Sequence, residues 1–357
     1  ALERGEVLAE NVEEVLMGCV LPAGMGQAPA RQASLGAGIP VAADCTTVNK
    51  MCGSGMKTTM LAHDLLLAET NEIMVAGGME SMTNTPYILQ KARSGQRLGH
   101  GQMTDHMFLD GLEDAFDKGT LMGVFAERTA KKYGFSREAQ DEFAIRSLTR
   151  AKKAIEDGSF KNEVTPVSYK NRKEETLVEL DEQPLTANID KIPNLRPAFE
   201  KDGTVTAANS SSISDGAAAL VMMRESTAKK SGFKPIARFL GHSSFAQAPE
   251  WFTTAPVGAI KGVLKTVDWN VDDVELFEIN EAFAVVTMAA MNDLDLPAEK
   301  VNVHGGACAL GHPVGASGTR ILVTLISALQ KYGKTRGVAS LCIGGGEATA
   351  MAVEVLS

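Results

Sequence analysis

The chain has 357 residues, 44% of them hydrophobic, and a formal net charge of −9. It is long enough for two or three domains with a large core, and its acidic balance argues against general nucleic-acid binding, which needs a basic field. No apolar run approaches the roughly twenty residues of a membrane helix, so no membrane span is expected. The five cysteines, Cys19, Cys45, Cys52, Cys308 and Cys342, are odd in number and form no C-x-x-C pair, against both a disulfide framework and a structural zinc site. A reducing, cytoplasmic setting is the simplest expectation, and the opening A-L-E-R-G-E-V shows no targeting pattern.

In chain order, N-V-E-E-V-L-M-G-C-V from Asn11 reads as a helix end followed by a short buried strand. Cys52-Gly53-Ser54-Gly55 then opens a helix with Met56, Met60, Leu61 and Leu65 predicted on one face. I-M-V-A-G-G-M-E-S-M from Ile73 reads as a strand that enters a glycine turn. A charged stretch from about Thr83 to Asp202 follows, with like-charge pairs, the run Lys170 to Glu175 and a long helix predicted over Ser136 to Asp157. A strand is predicted at A-A-A-L-V-M-M from Ala217.

Late in the chain these features recur in the same order. V-D-D-V-E-L-F-E-I from Val271 repeats the helix-to-strand junction, and Gly315-Ala316-Ser317-Gly318 opens a helix with Ile321, Leu322, Leu325 and Leu329 on one face. V-A-S-L-C-I-G-G-G-E-A-T-A-M repeats the strand and glycine turn. Three ordered echoes predict a duplicated α/β unit, with 83–202 inserted as a cap in the early copy. The expected division is 1–82 plus 203–233, with its start apparently incomplete, then the insertion 83–202, then 234–357.

Three glycine-rich segments carry the chemistry. Cys52 sits where a strand-like run becomes a helix, so free amides and the helix dipole are placed to favour its thiolate. A buried small cysteine is the plainer alternative. His312, in G-H-P-V-G-A-S-G, is placed to take a thiol proton; an ordinary polar residue is the alternative, as it is for His63, on a helix, and His304, beside a glycine pair. Cys342 runs into Gly344, Gly345 and Gly346, whose bare amides suit an oxyanion hole. Asn280, in E-I-N-E-A-F-A, is either a hydrogen-bond donor at a site or a helix cap. The small polar residues from Thr204 suit a surface against which a long amide-bearing arm lies.

Taken jointly, C-G-S-G, N-E-A-F-A, G-H-P-V-G-A-S-G and C-I-G-G-G, in this order, resemble the thiolase family along the whole chain. The resemblance implies duplicated α/β halves in an α-β-α-β-α core with an inserted loop domain. It implies acetyl-CoA and other coenzyme A thioesters as substrates, no permanently bound cofactor, no metal, and a homodimer or homotetramer. The implied reaction is a reversible Claisen condensation of two acetyl-CoA to acetoacetyl-CoA. Cleavage of longer 3-ketoacyl-CoA in fatty-acid β-oxidation, decarboxylating condensation and a catalytically impaired coenzyme A-binding scaffold are the other readings.

Carried over by motif, Cys52 is the acylated nucleophile, His312 its activator and Cys342 the α-carbon acid-base. A water on Asn280 together with His312 forms one oxyanion hole; the amides of Cys52 and Gly344 form another. Ser211 corresponds to the pantetheine contact, and Leu112, Phe199, Ala207, Ala282 and Phe283 to the tunnel walls, with Met122 and Phe252 at the acyl pocket. Leu121 stands where biosynthetic members usually have histidine. Leu185, in D-E-Q-P-L, replaces an arginine at the nucleotide end, and the usual opening strand and helix are missing.

Overall fold

The computed structural model describes residues 1–171 and 174–356; Arg172 and Lys173, in the charged run, and Ser357 lie outside the described residues. The junction at Asn11 folds as read, a single turn at Ala9–Asn11 leading into β1 (Glu14–Gly18). Helix α1 (Pro29–Gly36) starts with proline in its first turn, where no amide partner is lost. β2 (Asp44–Val48), α2 (Ser54–Leu67) and β3 (Ile73–Ser81) follow.

The inserted stretch holds a two-residue hairpin, β4 (Tyr87–Ile88) and β5 (Thr104–Asp105), then α3 (Met122–Tyr133) and α4 (Arg137–Glu156). Ser136, the first residue of the predicted helix, caps α4, its hydroxyl accepting from the Ala139 amide at 3.2 Å. A second hairpin, β6 (Val167–Asn171) and β7 (Glu174–Val178), and the short α5 (Glu182–Thr186) complete it. The chain then forms β8 (Asp215–Met223) and α6 (Glu225–Ser231). The late segment contributes β9 (Ala237–Ala246), α7 (Ala255–Thr266), β10 (Leu276–Ile279) and α8 (Ala284–Leu294). It ends with α9 (Ala307–Leu310), α10 (Ser317–Lys331), β11 (Arg336–Ile343) and β12 (Glu347–Val355).

Two four-stranded mixed sheets result, in the orders β2-β1-β3-β8 and β10-β11-β12-β9. In the first, β1 runs parallel to β2 and β3, and β8 antiparallel to β3; in the second, β10 and β11 are parallel and β12 antiparallel to β11. The echo is thus a topological repeat. The repeat is unequal at both edges: β9 covers β12, whereas no strand among the described residues covers the outer edge of β8, and β2 covers β1, whereas the outer edge of β10 has only the bridge from Phe277 to Val301.

Helices α2 and α10 pack on each other and on both sheets, forming the middle of an α-β-α-β-α stack; α1 and α7 lie against the outer faces. Ile321, Leu322, Leu325 and Leu329 of α10 are fully buried, each contributing on the order of 1.5–3 kcal/mol. The face predicted for α2 needs correcting. Met56 and Met60 are buried, but so are Thr58, Thr59, Ala62 and Leu66, while Leu61 and Leu65 are only half-buried. A helix held between two sheets has no single apolar face.

Gly77 and Gly78 also depart from expectation, because they lie within β3 rather than in a turn. A Cβ on Gly78 would run into the Gly315 carbonyl, so this glycine admits a loop from the late half. In the late copy the turn forms as predicted, with Gly345 and Gly346 both at φ 93° between β11 and β12.

Candidate active site

The tight backbone approach at Gly78 and Gly315 places the starts of α2 and α10 side by side. Thr319, at the start of α10, donates its hydroxyl to the Gly55 carbonyl of α2 at 2.7 Å. Glu80 of β3 ties the neighbouring loops together: the amides of Val20 (3.0 Å), Leu21 (3.1 Å) and Gly315 (3.0 Å) all donate to its carboxylate. One acidic side chain therefore fixes the His312 loop to the early half.

Cys52 precedes α2 and follows Met51, which holds a positive φ of 48°. That left-handed residue makes the turn from strand to helix abrupt. Gly53 leaves no room for a Cβ against the Ile343 side chain, so the end of β11 packs directly on the residue that follows the cysteine. The sulfur is desolvated, and burial raises its thiol, while the amides of Gly344 and of Cys52 itself oppose that shift. The dipole and amides thus do not produce a standing thiolate, as the helix-start position suggested; desolvation wins, and the resting thiol keeps its proton.

His312 is 6% exposed. Its Nδ1 lies 2.5 Å from the Ser317 hydroxyl, which itself donates to the Pro313 carbonyl at 3.0 Å. Since that hydroxyl proton is committed, Nδ1 carries the imidazole proton and Nε2 carries the lone pair. Nε2 is buried without a partner. Burial, with the Arg320 charge adding to it, pulls the imidazole down to about 3, so it is neutral at ordinary pH.

Cys342, fully buried in β11, is pushed well above the usual thiol range, first by burial and then by the nearby Cys52. The two sulfurs therefore share one environment. Asn280 follows β10, its amide donating to the Ser340 carbonyl at 3.0 Å. It is not a cap: α8 is preceded by Phe283, and both side-chain atoms of Asn280 are buried without partners. Buried polar groups are rarely left so, and here three of them, on Asn280 and His312, belong to the predicted set.

The remaining predicted residues divide. Met122, Phe199, Phe252, Ala282 and Phe283 join Cys342 in one apolar cluster with Phe125. A Cβ on Gly344 would lie 3.3 Å from the Met122 sulfur. The Ser211 amide and hydroxyl both donate to the Ala282 carbonyl at 3.0 Å, and the His312 amide donates to the Ser212 carbonyl at 3.2 Å. The Ser211–Ser212 segment thus ties the Ala282 backbone to the His312 loop. Leu112, half-buried in a turn at Phe108–Leu112, and Ala207, exposed, stand outside that cluster. Leu185 is 54% exposed on α5.

Glu80, Ser147, Glu281 and Asn302 were not singled out from the sequence. Glu281, beside Asn280, accepts from Ser147 Oγ at 2.6 Å, Asn302 Nδ2 at 2.8 Å and the Cys308 amide at 3.1 Å. Asn302 in turn holds the Ile279 amide at 2.8 Å. These bonds fix the backbone that presents Asn280. An acidic residue inside an otherwise apolar strand, as at Glu80, was the available signal.

Two cysteines, a neutral imidazole with a free lone pair and bare glycine amides, gathered between duplicated α/β halves, are the groups that thiol-dependent acyl transfer requires. Residues 1–226 match the thiolase N-terminal domain and residues 233–355 the thiolase C-terminal domain. The chain belongs to the thiolase family and is an acyltransferase. It is 48% identical over 359 residues to acetyl-CoA acetyltransferase of Escherichia coli (strain K12), covering 100% of this chain and 91% of that protein. The crystal structure of the Bacillus anthracis acetyl-CoA acetyltransferase matches with a TM-score of 0.96 at 42% identity, covering 100% of this chain and 90% of that one. Acat5 thiolase from Ascaris suum, in complex with coenzyme A, matches with a TM-score of 0.94 at 41% identity, covering 100% and 91%. No helix among the described residues is long and apolar enough to cross a membrane.

Proposed function

We propose that the chain catalyses the reversible Claisen condensation of two acetyl-CoA to acetoacetyl-CoA and coenzyme A; its likeness to proteins named acetyl-CoA acetyltransferase supports this reading. The observation that carries this reading is the set of buried, unpartnered atoms, His312 Nε2 and both ends of the Asn280 amide, beside two raised thiols.

Cys52 passes its proton to His312 Nε2 as its sulfur attacks the thioester carbonyl. The carbon-sulfur bond to coenzyme A breaks, and the departing thiolate takes the proton of Cys342. The Cys342 thiolate, desolvated and so strongly basic, removes an α-proton from the second acetyl-CoA. The resulting enolate carbon attacks the acetyl group on Cys52, and the freed Cys52 sulfur recovers its proton from His312. Asn280, through a water, and His312 stabilise the enolate oxygen; the Cys52 and Gly344 amides stabilise the oxyanion on the acyl carbon.

Ser211 and the walls named above hold the pantetheine arm in this reading, with coenzyme A as substrate and product only. Assembly as a homodimer or homotetramer, a cytoplasmic location and the division into two halves plus the inserted 83–202 belong to the same proposal. Brief exposure to acetyl-CoA followed by mass spectrometry should place one acetyl group on Cys52, absent in Cys52→Ala; no acetylation in folded protein that binds coenzyme A overturns the reading in favour of a scaffold.

The apolar wall of Met122 and Phe252 near Cys342 favours a second reading, thiolytic cleavage of longer 3-ketoacyl-CoA. Activity rising steeply beyond four-carbon substrates would select it.

A further inference from the structure

Away from the two cysteines, His63 and Asp64, near the end of α2, meet His242 of β9 across the boundary between the two sheets. His242 Nε2 lies 2.7 Å from Asp64 Oδ1, and His63 Nδ1 lies 3.2 Å from the same oxygen. The two rings stand edge to face with centroids 5.3 Å apart. One ligand atom from each residue falls within 4.8 Å of the others. The histidine side chains are largely covered, at 14% and 19% exposed, while Asp64 opens to solvent at 53%. Both histidines lower the Asp64 carboxyl against the opposing effect of its burial, so it is ionised at neutral pH.

We propose that His63, Asp64 and His242 bind a divalent transition metal of the zinc class. Two imidazole nitrogens and one carboxylate oxygen are borderline ligands. They suit zinc better than calcium or magnesium, which take oxygen, or copper(I), which prefers sulfur. In a tetrahedral site with bonds near 2.0–2.1 Å, ligand atoms sit about 3.3 Å apart. The two nitrogen-oxygen edges are already at or below that spacing, and only the nitrogen-nitrogen edge has to close. The solvent side of Asp64 leaves the fourth position to water. Binding would displace the protons now shared with Asp64, the metal taking their place between the rings.

The consequence is mechanical. Asp64 and His242 are separated by 178 residues, one in the early half and one in the late half. A metal joining them clamps α2 to β9, and it binds the folded chain far better than the unfolded one. The reading from sequence expected no metal, because no C-x-x-C pair is present and His63 read as an ordinary helix residue.

The test is calorimetric titration of Zn2+ into protein whose Cys52 has first been alkylated, so that the catalytic thiols do not compete. One equivalent should bind, and affinity should fall about tenfold or more in both His63→Ala and His242→Ala. Zn2+ should also raise the thermal midpoint of the unsubstituted chain and leave that of His242→Ala unmoved, with a cooperative melt in metal-free buffer confirming that the variant folds. A Co2+ substitute should give visible bands without a sulfur charge-transfer band. No binding by the unsubstituted chain, affinity in the two variants unchanged from that of the unsubstituted chain, or a sulfur band would overturn the proposal, leaving a hydrogen-bonded triad only.

Discussion

At the scale of single residues, the site separates what a thiol needs at rest from what it needs in reaction. Cys52 and Cys342 are both held protonated, chiefly by burial, so in the proposed reaction activation falls to His312 and to the amides around the sulfur. In the proposed reaction Ser317 acts through His312 rather than on substrate, because its bond to Nδ1 leaves the lone pair on Nε2. Ser317→Ala should therefore lower kcat by on the order of tenfold to a hundredfold, within the range that a positioned base supplies, with little change in KM. Ser317→Thr, which keeps the hydroxyl, should recover most of the loss; equal defects in both variants would reduce Ser317 to a packing role. Cys342→Ala tests the other thiol. It should still accept an acetyl group on Cys52 from a thioester but fail to form the carbon-carbon bond, a split that acylation and condensation assays resolve. Equal loss of both steps would remove the separate roles.

At the scale of elements, the site depends on close backbone contacts that the sequence shows only in part. Cys52, His312, Cys342 and the Gly344–Gly346 turn were legible because each motif is local: polar side chain and glycine lie within a few residues. The duplicated strand-helix order was legible for the same reason, as period and glycine placement repeat. The reason for Gly77 and Gly78 was not legible, since the group that excludes a side chain at Gly78 is the Gly315 carbonyl, more than two hundred residues later. Glu80, Glu281 and Asn302 were missed likewise, because their meaning lies in amides brought in by other segments. Gly78→Ala should accordingly cost about 1–3 kcal/mol, as overpacking does, read as a lower thermal midpoint. It should also reduce kcat, since the contact it disturbs carries the His312 loop. A stable variant with full activity would show that the loop accommodates the methyl group.

At the scale of the whole molecule, buried ionisable groups set opposing pH limits on stability. Glu278, 2% exposed in β10, is pushed up to about 8, mainly by burial, against the partial relief of Arg320. His312 and His304 are pulled down to about 3 and about 4, also mainly by burial. Between pH 4.5 and 8 the folded chain holds a proton on Glu278 that the unfolded chain has released, so this contribution weakens as pH rises through that window. Between pH 6.5 and about 3–4 the unfolded chain takes up protons that the folded histidines refuse, so theirs weakens as pH falls. Each such group changes stability by at most about 1.4 kcal/mol per pH unit. Glu278→Gln keeps the shape of the side chain while removing its titration. The thermal midpoint of that variant, compared with the unsubstituted chain, should gain progressively from pH 5 to about pH 8 and level off above it, while the acid limb set by the histidines stays in place. Parallel melting curves across that range would mean that Glu278 is already ionised in the folded chain, held by Arg320 at the Glu278 end of α10, and that the alkaline limit arises elsewhere.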